Sequence, residues 1–192
     1  MQRFLDPFAL NDAAQRLRDE GARIEVIDSR QASLSMDFGV QAAAMAARDG
    51  AEVSAVAAAA RDALDRSTIY LVADDLSYLQ RGGRIGQAQR VVGTLLSVKP
   101  IISMRDGVVV ALERPRTRRR AYERLAEYLK ENGPVEAAIV GQTSQERGDE
   151  LEAVLRESYR GPLRRAWAGP TIGTHVGPGG AGVAVLWQRK PE

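Results

Sequence analysis

No cysteine occurs in the sequence. Its absence removes disulfides, thiolate nucleophiles, iron–sulfur clusters and cysteine-based zinc sites together. It also fits a reducing compartment, and the expected location is the cytoplasm. Histidine is almost as scarce, with His175 standing alone. One imidazole and scattered carboxylates give no metal-ligand spacing, so no metal is expected. Aromatic residues make up only 5% of the chain, which calls for an aliphatic, alanine-rich core. Long apolar runs are missing as well. Val53–Ala60 is too short and too closely flanked by charge to span a bilayer. The opening MQRFLDPFALNDAAQRLRDE lacks the basic and apolar regions of a secretory signal. Lys and Arg number 27 against 25 Asp and Glu, and a net charge of +2 gives no general case for nucleic-acid binding. There is no GxxxxGK[ST] phosphate loop and no nucleophile elbow. No catalytic residue is assigned, and no cofactor is expected.

What is present is an ordinary globular composition, 44% hydrophobic and 27% charged. Asn11–Glu20 has helical spacing through Ala13, Ala14 and Leu17, and Gly21 ends it. RIEVID at 23–28 reads as a strand closing on an Asp–Ser pair. Met36–Asp49 and Glu52–Asp65 read as alanine-rich helices, and STIYLVA at 67–73 as a buried-type strand. Strand, helix, helix, strand suggests a parallel crossover. After it come the Gly82–Gly83 break, a helix over Gln87–Ser97, and a hairpin of Ile101–Met104 and Val108–Leu112 around Asp106–Gly107. Helices follow at Thr117–Asn132 and Ser144–Tyr159, with strands at Val135–Gly141, Leu163–Gly169 and Gly182–Gln188. PTIGTHVGPGGAG, from Pro170, looks too glycine-rich to be regular. The expected class is α/β plus α+β, a partial parallel α/β layer followed by an α+β domain with a mixed or antiparallel sheet.

Three stretches carry a family likeness. IDSRQAS at 27–33, DDLSYLQRGGRIGQAQRVVGTLLSVKPIISMRDG at 74–107 and IGTHVGPGGAGV at 172–183 resemble, in that order and spacing, the DegV family of bacterial fatty-acid-binding proteins. The basic run ERPRTRRRA at 113–121 is similar to the family's segment opening its next helix. The likeness runs from about Ile24 to Trp187. It implies that residues 1–75 are the remnant of an N-terminal parallel α/β domain and 76–192 a C-terminal α+β domain. The family's hydroxyl-rich N-terminal loops, which meet the carboxylate, are not visible in this sequence.

The resemblance implies a non-enzymatic carrier of a long-chain fatty acid that presents the carboxylate to a fatty acid kinase. Burying the acyl chain contributes roughly 0.8 kcal/mol per methylene, so no covalent chemistry is required. Candidate walls are Phe38, Val40, Met45, Ile69, Leu71, Leu76, Leu79, Ile85, Val91, Leu95 and Ile101, most of which also suit an ordinary core. His175, beside Thr174 and the turn holding Gly177 and Gly179, is implied to line the carboxylate end. Ser29 and Ser33 follow the RIEVID run, where they could meet a ligand or simply cap the loop and helix. Arg84 stays open between a turn residue and a ligand contact. Arg114, Arg116 and Arg118, with Arg119 and Arg120, crowd cations onto a helix start against its dipole. The resemblance makes Arg114, Arg116 and Arg118 a docking patch for the kinase. Asp74–Asp75 reads as an N-cap pair. Two other classes remain: an interaction module without lipid binding, and a hydrolase or phosphotransferase using His175.

Overall fold

The computed structural model describes residues 7–74, 76–88 and 98–189. Among them the chain forms α1 (Pro7–Asp19), α2 (Leu34–Arg48), α3 (Val53–Asp65), β1 (Ser67–Val72), α4 (Ser77–Arg81), β2 (Ile101–Arg105), β3 (Val108–Glu113), α5 (Arg118–Glu131), β4 (Val135–Gln142), α6 (Gln145–Ser158), β5 (Arg164–Trp167), α7 (Pro170–Val176) and β6 (Ala181–Trp187). The strands make one mixed sheet in the order β3-β2-β1-β6-β4-β5. Only β4 and β5 run parallel among these pairs; β1 pairs antiparallel with both β2 and β6. The α/β class with a mixed sheet is what the sequence led us to expect.

Local chemistry explains most boundaries. Asp106 and Gly107 both have positive φ, 50° and 74°, the geometry that turns β2 tightly into β3. Thr117 caps α5 by accepting the Arg120 N–H at 3.2 Å, and Ser144 caps α6 through the Arg147 N–H at 3.4 Å. α5 then buries Ala121, Leu125, Tyr128 and Leu129 along one stripe.

Three expectations need correction. RIEVID at 23–28 is not a strand, so the parallel crossover to β1 does not form. A strand needs a hydrogen-bonded ladder, and no described strand pairs with this segment. Side chains tie it down instead: Arg18 Nε donates to the Ile24 carbonyl at 2.9 Å and Arg23 pairs with Glu52 at 2.8 Å. Second, residues 170–176 are helical despite Gly173 and the glycines that follow, because Pro170 opens the turn and Gly177 closes it at φ 80°. Third, Asp74 does not cap α4, whose N-cap is Leu76. Asp75 lies outside the described residues. Of the helix expected over Gln87–Ser97, Gln87 and Ala88 lie in a 3₁₀ turn, and 89–97 lie outside the described residues.

Alternation divides the sheet. Tyr70, Val72, Ile101, Val140, Val183 and Val185 face α5 and α6 in a continuous core. The other face is covered in two patches. Phe38 of α2 and Ala63 of α3 pack on Ile139, Ala184 and Leu186. Leu76, Leu79 and Ile85, around α4, pack on Ile102 and Val109. The patches leave a gap between them.

The carboxylate of Asp74 holds the roof of that gap in place. It accepts from Lys99 Nζ at 2.8 Å and pairs with Arg118. Arg118 also donates to the Gly179 carbonyl at 3.0 Å, which fastens the loop after α7 to α5. Burial pushes the Asp74 carboxyl upward, but the Lys99 hydrogen bond and the Arg118, Lys99 and Arg147 charges outweigh it and hold it below the ordinary aspartate range. A depressed carboxylate stabilises the fold above its unfolded pKa, and that contribution disappears as pH falls through the folded value. Asp74→Asn is therefore expected to cost about 1–2 kcal/mol at neutral pH, discounted for partial exposure of the carboxylate. Thermal melts from pH 7 downward should show the gap between wild type and variant narrowing below about pH 4. A constant gap down to pH 2 would remove Asp74 from this role.

Candidate functional site

The gap contains two adjoining apolar clefts. The first encloses about 450 Å³ counting its open mouth, over Ile102, Met104 and Val109, with Leu79 at its side. The second encloses about 350 Å³ over Gly141, Gly182 and Ala184. Ser33, Ile69, Leu71, Ile172 and Val176 line both, so β1 and α7 are their common floor and roof. From β3 to β4 the floor crosses four strand spacings, about 19 Å in all. Acyl chains in one leaflet of a bilayer occupy about 15 Å. The floor is long enough for one such chain.

Ser33 is the polar residue that the two clefts share. Its backbone has φ 59° and ψ −136°, a region that residues with a β-carbon rarely enter, and its side chain makes no capping hydrogen bond to α2. Conformational strain of this sort concentrates at ligand-binding positions. His175 lines the first cleft from α7. Its ring lies against Gly82, where a β-carbon would stand 2.2 Å from Nδ1. Gly177 holds the next turn against Tyr78, at 2.6 Å from an added β-carbon. The GGR break and the VGPG turn are thus the two halves of one packing surface between α4 and α7.

Of the residues singled out in the sequence, Ser33 and His175 meet at the first cleft. The others lie elsewhere. Ser29 is used locally, accepting the Gln31 N–H at 3.3 Å, and lines neither cleft. Thr174 is exposed and donates back to the Pro170 carbonyl at 3.0 Å. Gly177 and Gly179 are buried behind α7, Gly179 against the Asp74 carboxylate. Arg84 donates to the Gly82 carbonyl at 3.1 Å and belongs to the turn. Among the candidate walls, Ile69, Leu71 and Leu79 line the clefts, while Phe38, Leu76, Ile85 and Ile101 are solid core. Val40 and Met45 point to solvent, 58% and 57% exposed. Val91 and Leu95 lie outside the described residues. The reading missed Ile172 and Val176, which the one-turn spacing i, i+4 would have placed on one face had 170–176 been taken as helical.

The basic run also separates. Arg118 is inside, as described, with only 15% of its side chain exposed. Arg119 pairs with Glu123 and Glu157, and Arg120 with Glu123 and Glu127, so the chain's own carboxylates offset these cations at the helix start. Arg114 and Arg116 are exposed on the loop before α5, with no ion pair among the described residues. No group of three metal-ligating side chains occurs among the described residues, and no helix among them is long and apolar enough to cross a membrane.

Comparison with known proteins gives a consistent result. A DegV-domain protein of Caldanaerobacter subterraneus is 35% identical over 84% of this chain and 59% of its own length. One from Streptomyces coelicolor is 34% identical over 88% and 62%. This chain thus spans about three fifths of the length of these curated relatives. Among solved structures, a fatty-acid-binding DegV family protein from Thermus thermophilus superposes with a TM-score of 0.80 at 26% identity, covering 93% of this chain and 66% of that one. DegV of Bacillus subtilis, described as a fatty acid binding protein, gives 0.74 at 27% identity, covering 92% and 66%. The sequence model described as "Uncharacterised protein, DegV family" matches residues 9–188, and the chain belongs to that family.

Proposed function

We propose that this chain binds a long-chain fatty acid in the double cleft and presents its carboxylate near His175. The observation that supports this most is the pair of apolar clefts sharing β1 and α7, with Ser33 and His175 as polar residues at the first. Each methylene taken from water contributes roughly 0.8 kcal/mol, so an acyl chain filling the track supplies the affinity and the polar residues supply orientation. The bound acid is the ligand in this reading, and the protein carries rather than transforms it. The division near residue 75 goes with it as a proposal: α1–α3 lie before it, the later strands after it, and β1 joins the two.

The second part of the proposal is transfer to a fatty acid kinase that phosphorylates the presented carboxylate. The exposed cations Arg114 and Arg116 favour it, being available to an acidic partner surface while Arg118 is committed internally. One observation favours the rival reading of an interaction module. Met36 and Val40, one turn apart on α2, leave an apolar stripe in solvent.

Protein purified without detergent is expected to release a long-chain acid on organic extraction, detected by mass spectrometry. An empty protein that also fails to take up added acid would end the carrier reading. His175→Ala should weaken retention by about tenfold, the loss of one hydrogen bond to a charged group. Arg114→Glu and Arg116→Glu together should suppress acyl-phosphate formation by added kinase while leaving lipid retention unchanged. Loss of lipid in that variant would place the two arginines in the site or the fold instead.

A further inference from the structure

Beyond Ser33, which the two clefts share, the polar side chains at the second cleft are already engaged. Thr143 Oγ1 accepts the Gly180 N–H at 3.0 Å and donates to the Gly180 carbonyl at 2.9 Å. Gln142 Oε1 accepts from Arg165 Nε at 3.2 Å and Nη2 at 2.5 Å, while its amide donates to Gln145 at 3.2 Å. A carboxylate placed at the far end, past Ser33, would shed water and meet side chains already bonded to the protein. A hydrocarbon end loses nothing.

The floor of this cleft is also shaped for it. Gly141 and Gly182 are direct cross-strand partners, so two adjacent positions on one face of the sheet carry no side chain. At Gly182 the neighbouring strand enforces this, since a β-carbon would stand 2.3 Å from the Tyr70 carbonyl oxygen. The dent over Gly141 is entered by Leu34, whose Cδ1 would lie 2.8 Å from an added β-carbon. Leu34 comes from the first turn of α2, immediately after Ser33. Ala168, half-buried between β5 and α7, closes the same cleft.

Resting on the carrier reading, we propose that the cleft over β4 and β6 is the blind end that takes the terminal part of the acyl chain, and that Leu34 and Ala168 gauge its length. The chain enters from the His175 end, passes beneath Ser33 and α7, and stops where Leu34 fills the glycine dent. Leu34→Ala deepens the stop. Ala168→Leu brings it forward.

The test uses the delipidated full chain offered an equimolar series of saturated acids of about ten to twenty carbons, spanning those of ordinary bilayers. Mass spectrometry reads the retained distribution. Ala168→Leu should move its maximum shorter by about two to four carbons, because leucine adds three carbons to the space. Leu34→Ala should move it longer by a similar amount. General loosening would not shift the two variants in opposite directions. Circular dichroism and melting temperature establish that each variant is folded, and either folded variant alone decides the matter if the other is not. Distributions matching wild type, or shifts in the same direction, overturn the gauge while the carrier reading stands. A wild-type chain that retains none of the acids overturns the carrier reading itself.

Discussion

A β-strand sends successive side chains to opposite faces of its sheet, and that alternation decides where this molecule is solid and where it is hollow. One set of positions carries Tyr70, Val72, Val140, Val183 and Val185, which interlock with α5 and α6. The alternate set carries Ile69, Leu71, Gly141, Gly182 and Ala184, and no helix lies flush against all of them. Small residues at the β4–β6 end lower the floor there. α2 with α3 and the α4 turn cover the flanks without meeting. The apolar gap follows from this pattern of side-chain sizes and from where the covering helices stop.

The roof of the gap is held by different physics. α7 is short, and its position depends on close backbone packing and one ion-pair hub. Gly82 and Gly177 allow α4 and α7 to approach with His175 and Tyr78 between them. Asp74 then connects the end of β1 to Lys99 and Arg118, and through Arg118 to the loop after α7. Histidine placement is therefore coupled to a carboxylate that does not itself line either cleft. The cation crowding at the start of α5 finds its reason here in part: Arg118 is drawn inward by Asp74, and its neighbours by glutamates.

Much of this was legible in the sequence, and the failures have physical causes. The hairpin at Asp106–Gly107 was readable because positive φ at both turn residues demands that kind of dipeptide. α5 was readable from the apolar spacing of Ala121, Leu125, Tyr128 and Leu129, and α6 from its i, i+4 charge pairs. Ile69 and Leu71 could be named as walls because a buried-type strand near the family's motifs narrows the choice. RIEVID misled because a short apolar run says nothing about a pairing partner. Residues 170–176 misled because glycine content was weighed against helix, while the proline at the start and the glycine at the end were the stronger signals. The cross-strand pairing of Gly141 with Gly182 joins residues far apart in the chain, and only the register reveals it.

The central claim is that hydrocarbon replaces water between β1 and α7. Nuclear Overhauser contacts between a carbon-13-labelled fatty acid and the protein's methyl groups test this most directly. The account predicts contacts from chain methylenes to Ile69, Leu71, Ile172 and Val176, with those of the terminal methyl confined to Leu34, Ala168 and Ala184. Contacts only with the outward methyls of Met36 and Val40, or none at all, would contradict it.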